Sequence, residues 1–175
     1  LLDYEVKQDT LHPIASVQGD TLIDCTKNAV ALNSLLTDTS RYQLIWTKPD
    51  QTQIKDSVKI KSNLSGKYTL TVIDKKNYCQ DTKDWNVTVD SLFPQIDLGT
   101  DLVIDCKNNG VNIIPTETSQ TGMFGYYWNM PTGALVKETK LLDKVSTQSG
   151  QVILKVINEQ NGCGSADTLV IKDVR

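Results

Sequence analysis

The chain repeats itself, and this constrains its fold more than any other feature. Shifted by 81 residues, Asp20-Thr21-Leu22-Ile23-Asp24-Cys25 falls on Asp101-Leu102-Val103-Ile104-Asp105-Cys106, and Val30 and Leu32 fall on Val111 and Ile113. A shift of 82 places Tyr42, Leu44 and Trp46 on Phe124, Tyr126 and Trp128. A shift of 84 places Gly66 on Gly150, Tyr68, Leu70 and Val72 on Val152, Leu154 and Val156, and Cys79 on Cys163. The slips lie between apolar runs, where loops tolerate insertions. The second copy is slightly longer in the Thr116 to Gly125 stretch.

The ends carry the same pattern. The segment from Asp3 to Pro13 matches that from Asp84 to Pro94, and Asp167 to Asp173 aligns on Asp84 to Asp90. The expected organisation is therefore the last strand of a preceding repeat over residues 1–9, a first repeat over 10–91 and a second over 92–175. Pro94 biases Phe93 to an extended conformation. The joint from Asp90 to Pro94 has no Gly/Ser run, so the expectation is an elongated pair with limited bending.

Short alternating runs separated by turn residues give an all-β chain. In the first repeat, strands are expected over Ile14 to Val17, Thr21 to Cys25, Ala29 to Asn33, Tyr42 to Thr47, Gln53 to Ile60, Lys67 to Ile73 and Asp84 to Val89. The second repeat follows the same order, through Gln151 to Ile157 and Thr168 to Lys172. Residues two apart share a strand face, so Tyr42, Leu44 and Trp46 point one way. Facing stripes of this kind build a sandwich core, and Trp46 and Trp128 are read as core residues.

Cys25, Cys79, Cys106 and Cys163 are widely spaced, with no Cys-x-x-Cys and a single histidine, His12. That excludes a zinc site and reads as disulfides in an oxidising compartment. Repeat logic pairs Cys25 with Cys79 and Cys106 with Cys163, since the other two connectivities cross between repeats. Each bridge would close a loop of more than 50 residues, for about 4 kcal/mol in the loop-entropy picture.

The order Cys25, Trp46, Gly66-Lys67-Tyr68-Thr69-Leu70-Thr71-Val72, Asn77-Tyr78-Cys79 resembles immunoglobulin-like and PKD-like modules. The second copy repeats it with Cys106, Tyr127-Trp128, Gly150-Gln151-Val152 and Asn161-Gly162-Cys163. Such modules recur in large secreted and cell-surface proteins of Bacteroidetes-type bacteria. The resemblance implies two tandem immunoglobulin-like β-sandwich domains, a place on the bacterial exterior and a part in adhesion. Two features depart from it. Cys79 and Cys163 follow the strand that holds the second cysteine in antibodies, and Trp46 leads into Thr47-Lys48-Pro49-Asp50 rather than the Trp-Asp-Phe-Gly-Asp-Gly of PKD domains.

Little is left for chemistry. His12 matches Phe93, so it is read as a packing or spacer residue rather than a base. No phosphate loop or nucleophile elbow is present, and no cofactor or metal is implied. Asp20, Asp24, Asp74, Asp90, Asp97, Asp101 and Asp105 form no dense calcium loop and read as solvated turn residues. A net charge of −3 argues against nucleic acid, and no apolar run is long enough to span a membrane. Thr10, Thr21, Ser57, Ser91 and Thr168 each follow Asp and precede an apolar residue, a pattern resembling a bacterial O-glycosylation signal. Asn63 and Asn86 fit the N-glycosylation sequon. Of the aromatic group Phe124, Tyr126, Tyr127 and Trp128, only Tyr127 is expected to face outward. The expected function is a non-catalytic spacer or adhesive module whose partners are neighbouring repeats. The alternative is a module binding surface glycans or proteins through sandwich-end loops.

Overall fold

Apolar side chains at every second position drive each unit to close around one core. The computed structural model describes residues 9–117 and 122–175. The expected strand over 1–9 therefore falls almost wholly outside the described residues, as does part of the longer Thr116 to Gly125 stretch. The chain divides into two units: residues up to Ile23 with Lys27–Asp90, and Asp24–Thr26 with Ser91–Arg175. Among the described residues there is no helix, and so none long and apolar enough to cross a membrane.

The first unit holds β1 (Val17–Gly19), β2 (Leu22–Ile23), β3 (Val30–Ser34), β4 (Tyr42–Thr47), β5 (Gln53–Lys55), β6 (Lys59–Ser62), β7 (Gly66–Asp74) and β8 (Gln80–Val89). One sheet runs β1-β3-β6, the other β2-β8-β7-β4-β5. Their inner faces meet in a core of Val17, Val30, Leu32 and Ile60 against Leu44, Trp46, Tyr68, Leu70, Val72 and Val87. Every second residue of β7 is buried, as its alternation requires. Tyr68 adds a hallmark of the immunoglobulin sandwich: its hydroxyl donates back to the Leu64 carbonyl at 2.6 Å.

The second unit holds β9 (Ile96–Asp97), β10 (Leu102–Ile104), β11 (Val111–Ile113), β12 (Thr116–Glu117), β13 (Phe124–Asn129), β14 (Leu135–Glu138), β15 (Lys144–Ser146), β16 (Gly150–Asn158) and β17 (Gly164–Asp173). The large sheet runs β10-β17-β16-β13-β14, the same order as in the first unit. The small sheet is split into β11-β15 and β12-β9. Pro115 explains the split. The matching residue of the first unit, Ser34, donates its N–H to Val58 O at 2.8 Å, a bond proline cannot make. Each unit is thus an all-β, immunoglobulin-like sandwich.

Two sequence expectations need adjustment. The run Gln53 to Ile60 is two strands in different sheets, parted where Asp56 turns through a positive φ of 55°. The last strands correspond at a shift of 84 rather than 83, because Tyr68 pairs with Trp85 while Val152 pairs with Leu169. The matched glycines are required by the backbone. Gly66 (φ 126°) lies against Pro49, and Gly150 (φ 138°) lies against Pro131. A side chain at either would combine a disfavoured φ with contact to that ring.

Candidate functional site

The cysteine pairing is the main correction to the sequence reading. Cys25 is bonded to Cys163, while Cys79 and Cys106 are free. The expected pairs Cys25–Cys79 and Cys106–Cys163 are ruled out by strand direction. Strand β2 runs parallel to β8, with Leu22 beside Thr88 and Ile23 beside Val89. Cys25 therefore follows the end of β8, whereas Cys79 precedes its start. The length of β8 separates them by roughly 30 Å, far beyond disulfide reach. In the second unit β10 runs parallel to β17, with Ile104 beside Asp173, and it separates Cys106 from Cys163 in the same way.

Cys25 lies in Asp24–Thr26, the short stretch of the first sequence repeat that belongs to the second compact unit. Asp24 shapes it: its Oδ1 accepts from the Thr26 N–H at 2.8 Å. The Cys25 N–H donates to Asn161 O at 3.1 Å, next to the bonded Cys163.

Cys163 sits at the tip of the β16–β17 hairpin. Its N–H donates to Asn161 Oδ1 at 2.9 Å, and Asn161 Nδ2 donates to Leu92 O at 3.1 Å. The Gly162 N–H donates to Asn158 O at 2.8 Å, with Gly162 at φ 70°. The β7–β8 tip repeats this bond for bond. Cys79 N–H donates to Asn77 Oδ1 at 2.9 Å, and Asn77 Nδ2 to Leu11 O at 3.0 Å. Tyr78 N–H donates to Asp74 O at 2.8 Å, with Tyr78 at φ 60°. The shared Asn-x-Cys of the sequence is thus the signal for a built hairpin tip.

Beneath the first tip lies a charged pair that sequence reasoning missed. Arg41 donates from Nε and Nη2 to Asp74 Oδ2 at 3.0 and 2.8 Å, and Asp74 Oδ1 accepts from the Lys76 N–H at 2.9 Å. Asp74 is fully buried, not a solvated turn carboxylate as expected. The Lys76 N–H holds its carboxyl below the usual range, burial opposes this, and Arg41 adds to the lowering. Asp24 and Asp105 shape turns, Asp97 accepts from the Gly99 N–H at 2.7 Å, and Asp20 accepts from the Ala31 N–H at 2.9 Å.

Trp46 and Trp128 are fully buried. His12 and Phe93 are both exposed, beside the buried Pro13 and Pro94. Tyr127 is half-buried, with Lys137 Nζ 5.3 Å from its ring centre. Thr10, Thr21, Ser91 and Thr168 are exposed, while Ser57 is half-buried and donates to Lys59 O at 2.6 Å. Among the described residues no three His, Cys, Asp or Glu side chains are grouped to hold a metal.

No known protein family model and no curated protein matches the chain. Among solved structures it is similar to three N-terminal domains of the Highly Immunogenic Outer Capsid protein of bacteriophage RB49. The identity is 13%, the TM-score 0.46, and 91% of this chain covers 58% of that one. It is also similar to Sidekick-1 immunoglobulin domains 1-5 (11% identity, TM-score 0.41, 94% of this chain and 40% of that one). A third is Drosophila OTK, extracellular domains 3-5 (12% identity, TM-score 0.30, 95% and 64%). The chain thus spans less than two thirds of the length of each. At these identities and TM-scores the likenesses assign neither a family nor a partner.

Proposed function

We propose that the chain is a non-catalytic spacer or adhesive module of a large secreted or cell-surface protein, with neighbouring repeats as its partners. The observation that carries this reading is the Cys25–Cys163 bond, which ties residues 138 positions apart. A pull on the two ends cannot extend the residues between those cysteines while the bond holds. The positions shared by the two copies are spent on strand cores, hairpin tips and cysteines, which are what a length-keeping element needs. A disulfide also fits an oxidising compartment, in keeping with export to the bacterial exterior. The motif resemblance to Bacteroidetes-type surface modules points the same way.

Single-molecule pulling tests this. The oxidised chain is expected to stop short of its full contour length. Added reductant should release about 480 Å more, from 138 residues at about 3.5 Å each. Extension of the oxidised chain to full length without reductant would sink the reading.

A further inference from the structure

Two cysteines remain free, and each has the surroundings of one partner of the bonded pair. Cys106 corresponds to Cys25. Its turn is shaped by the same contact, the Lys107 N–H donating to Asp105 Oδ1 at 2.8 Å, as Thr26 N–H does to Asp24 Oδ1 at 2.8 Å. Both turns follow a short strand running parallel to the last strand of a sheet. Cys106 is exposed. Cys79 corresponds to Cys163, and the three tip hydrogen bonds around it agree with those around Cys163 to within 0.1 Å.

The tips differ in cover. Asn161 and Cys163 are buried under the Cys25 segment, whereas Asn77 and Cys79 are only half-buried and Tyr78 is 80% exposed. Among the described residues, the first tip is therefore a formed receptor with no covering segment, and Cys106 lies on a formed segment with no receptor. One detail bears on fit. A Cβ at Gly162 would clash with the Thr26 side-chain methyl. The first tip carries such a Cβ on Tyr78, and the Cys106 segment carries Lys107, which has no branched Cβ, in place of Thr26.

We propose that Cys106 and Cys79 are complementary bonding positions between successive copies of this repeat. Cys106 of one copy bonds the Cys79-type cysteine of the next, as Cys25 bonds Cys163. An array of such repeats is then stapled head to tail, each staple running from one sequence repeat to its successor. The bond forms by thiol–disulfide exchange with a small-molecule disulfide. The Cys79 and Cys106 thiols lose two protons and two electrons, one S–S bond forms, and the small disulfide becomes two thiols. This inference rests on the observed bond and the repeat register, and holds whether or not the array is a spacer.

The test uses the full chain at high concentration in a glutathione redox buffer, with non-reducing electrophoresis and peptide mapping. The wild type should give a ladder of multimers whose linked peptides join Cys79 to Cys106. C79S and C106S should each stay largely monomeric alone, and mixed together should stop at a heterodimer. A second arm raises the local concentration by continuing the chain after Val174 with another copy of residues 91–175. There Cys106 should bond the appended hairpin cysteine, and Cys79 should stay free. The proposal is overturned if Cys79–Cys79 or Cys106–Cys106 links are as abundant as mixed ones, or if Cys106 stays free in both arms.

Discussion

The two sandwiches keep the same apolar frame but solve their polar problems differently. In the first, the Trp46 Nε1–H donates to Ser57 O at 2.8 Å; in the second, Trp128 Nε1 is buried with no partner among the described residues. Below the hairpin tip the first unit buries Asp74 against Arg41, and the second places Asn158 and Met123 at the matching positions. The backbone contacts survive the exchange: Lys75 N–H donates to Arg41 O at 2.9 Å, and Glu159 N–H to Met123 O at 2.8 Å. Both partners changed together, which avoids an unpaired buried charge. The first unit fastens Tyr68 to Leu64 O, where the second has Val152. The second instead buries Tyr126, its hydroxyl donating to Glu117 Oε2 at 2.5 Å. A sandwich of this kind is thus defined by which faces are apolar, while individual polar contacts are exchangeable in matched sets.

The comparison can be broken most strongly at the tryptophans. Trp46→Ala and Trp128→Ala should each destabilise their own unit by about 3–5 kcal/mol, seen in calorimetry as loss of one of two transitions. The disulfide gives the next largest effect. Cys163→Ser should lower the second unit by roughly 2–5 kcal/mol and leave the first transition in place. The same chemistry predicts two titratable thiols in the denatured, unreduced wild type. Four would show that the Cys25–Cys163 bond does not form, and none would show that Cys79 and Cys106 are also oxidised.

A finer test separates packing from hydrogen bonding. Trp46→Phe should cost about 1 kcal/mol more than Trp128→Phe, because the Ser57 carbonyl loses its donor and no such bond is lost at Trp128. Equal costs in urea denaturation would show that the bond contributes nothing net.

The smallest effect is the response to pH, which is dominated by acid sensitivity in the first unit and by alkali sensitivity in the second. Seven carboxylates of the first unit, Asp74 among them, lie below the usual range, against Asp173, at about 2, in the second. Such groups stabilise the fold above the unfolded value of about 3.9, and that stability is lost as pH falls through their folded values. The first unit should therefore melt at lower temperature in acid, and the double substitution Arg41→Met with Asp74→Asn should blunt the change. Burial and the Glu117 carboxylate push the Tyr126 hydroxyl well above the usual tyrosine value. Its contribution is complete below pH of about 10 and declines above it, so the second unit should be the more alkali-sensitive. Melting curves across pH would check both.

Much of the fold was legible because it rests on local alternation. Tyr42–Thr47 is found as expected, and β3, β7, β16 and β17 shift only at their ends. The break inside Gln53 to Ile60 was not legible, because no glycine or proline marks it and Asp56 turns unaided. The split of the small sheet was not anticipated, because the second repeat was expected to follow the strand order of the first, although Pro115, which cannot donate within a ladder, stands at the break. The Arg41–Asp74 pair was invisible because its members are 33 residues apart and meet only when β7 is laid against β4.

The sequence by itself determined the repeat, the all-β class, the buried stripes and the positions at which cysteines stand. These follow from side-chain periodicity and from glycine's backbone freedom, and both are written residue by residue. Only the tertiary structure decided which cysteine meets which. Repeat logic favoured Cys25 with Cys79, a bond inside one copy, but a bond from each copy to its successor, as in Cys25 with Cys163, repeats just as regularly. Parallel pairing of β2 with β8 separates the first two by a whole strand, and the Asp24–Thr26 turn brings Cys25 to Cys163. A bond needs two sulfurs within a few ångströms, and that proximity is a property of strand direction, not of spacing along the chain.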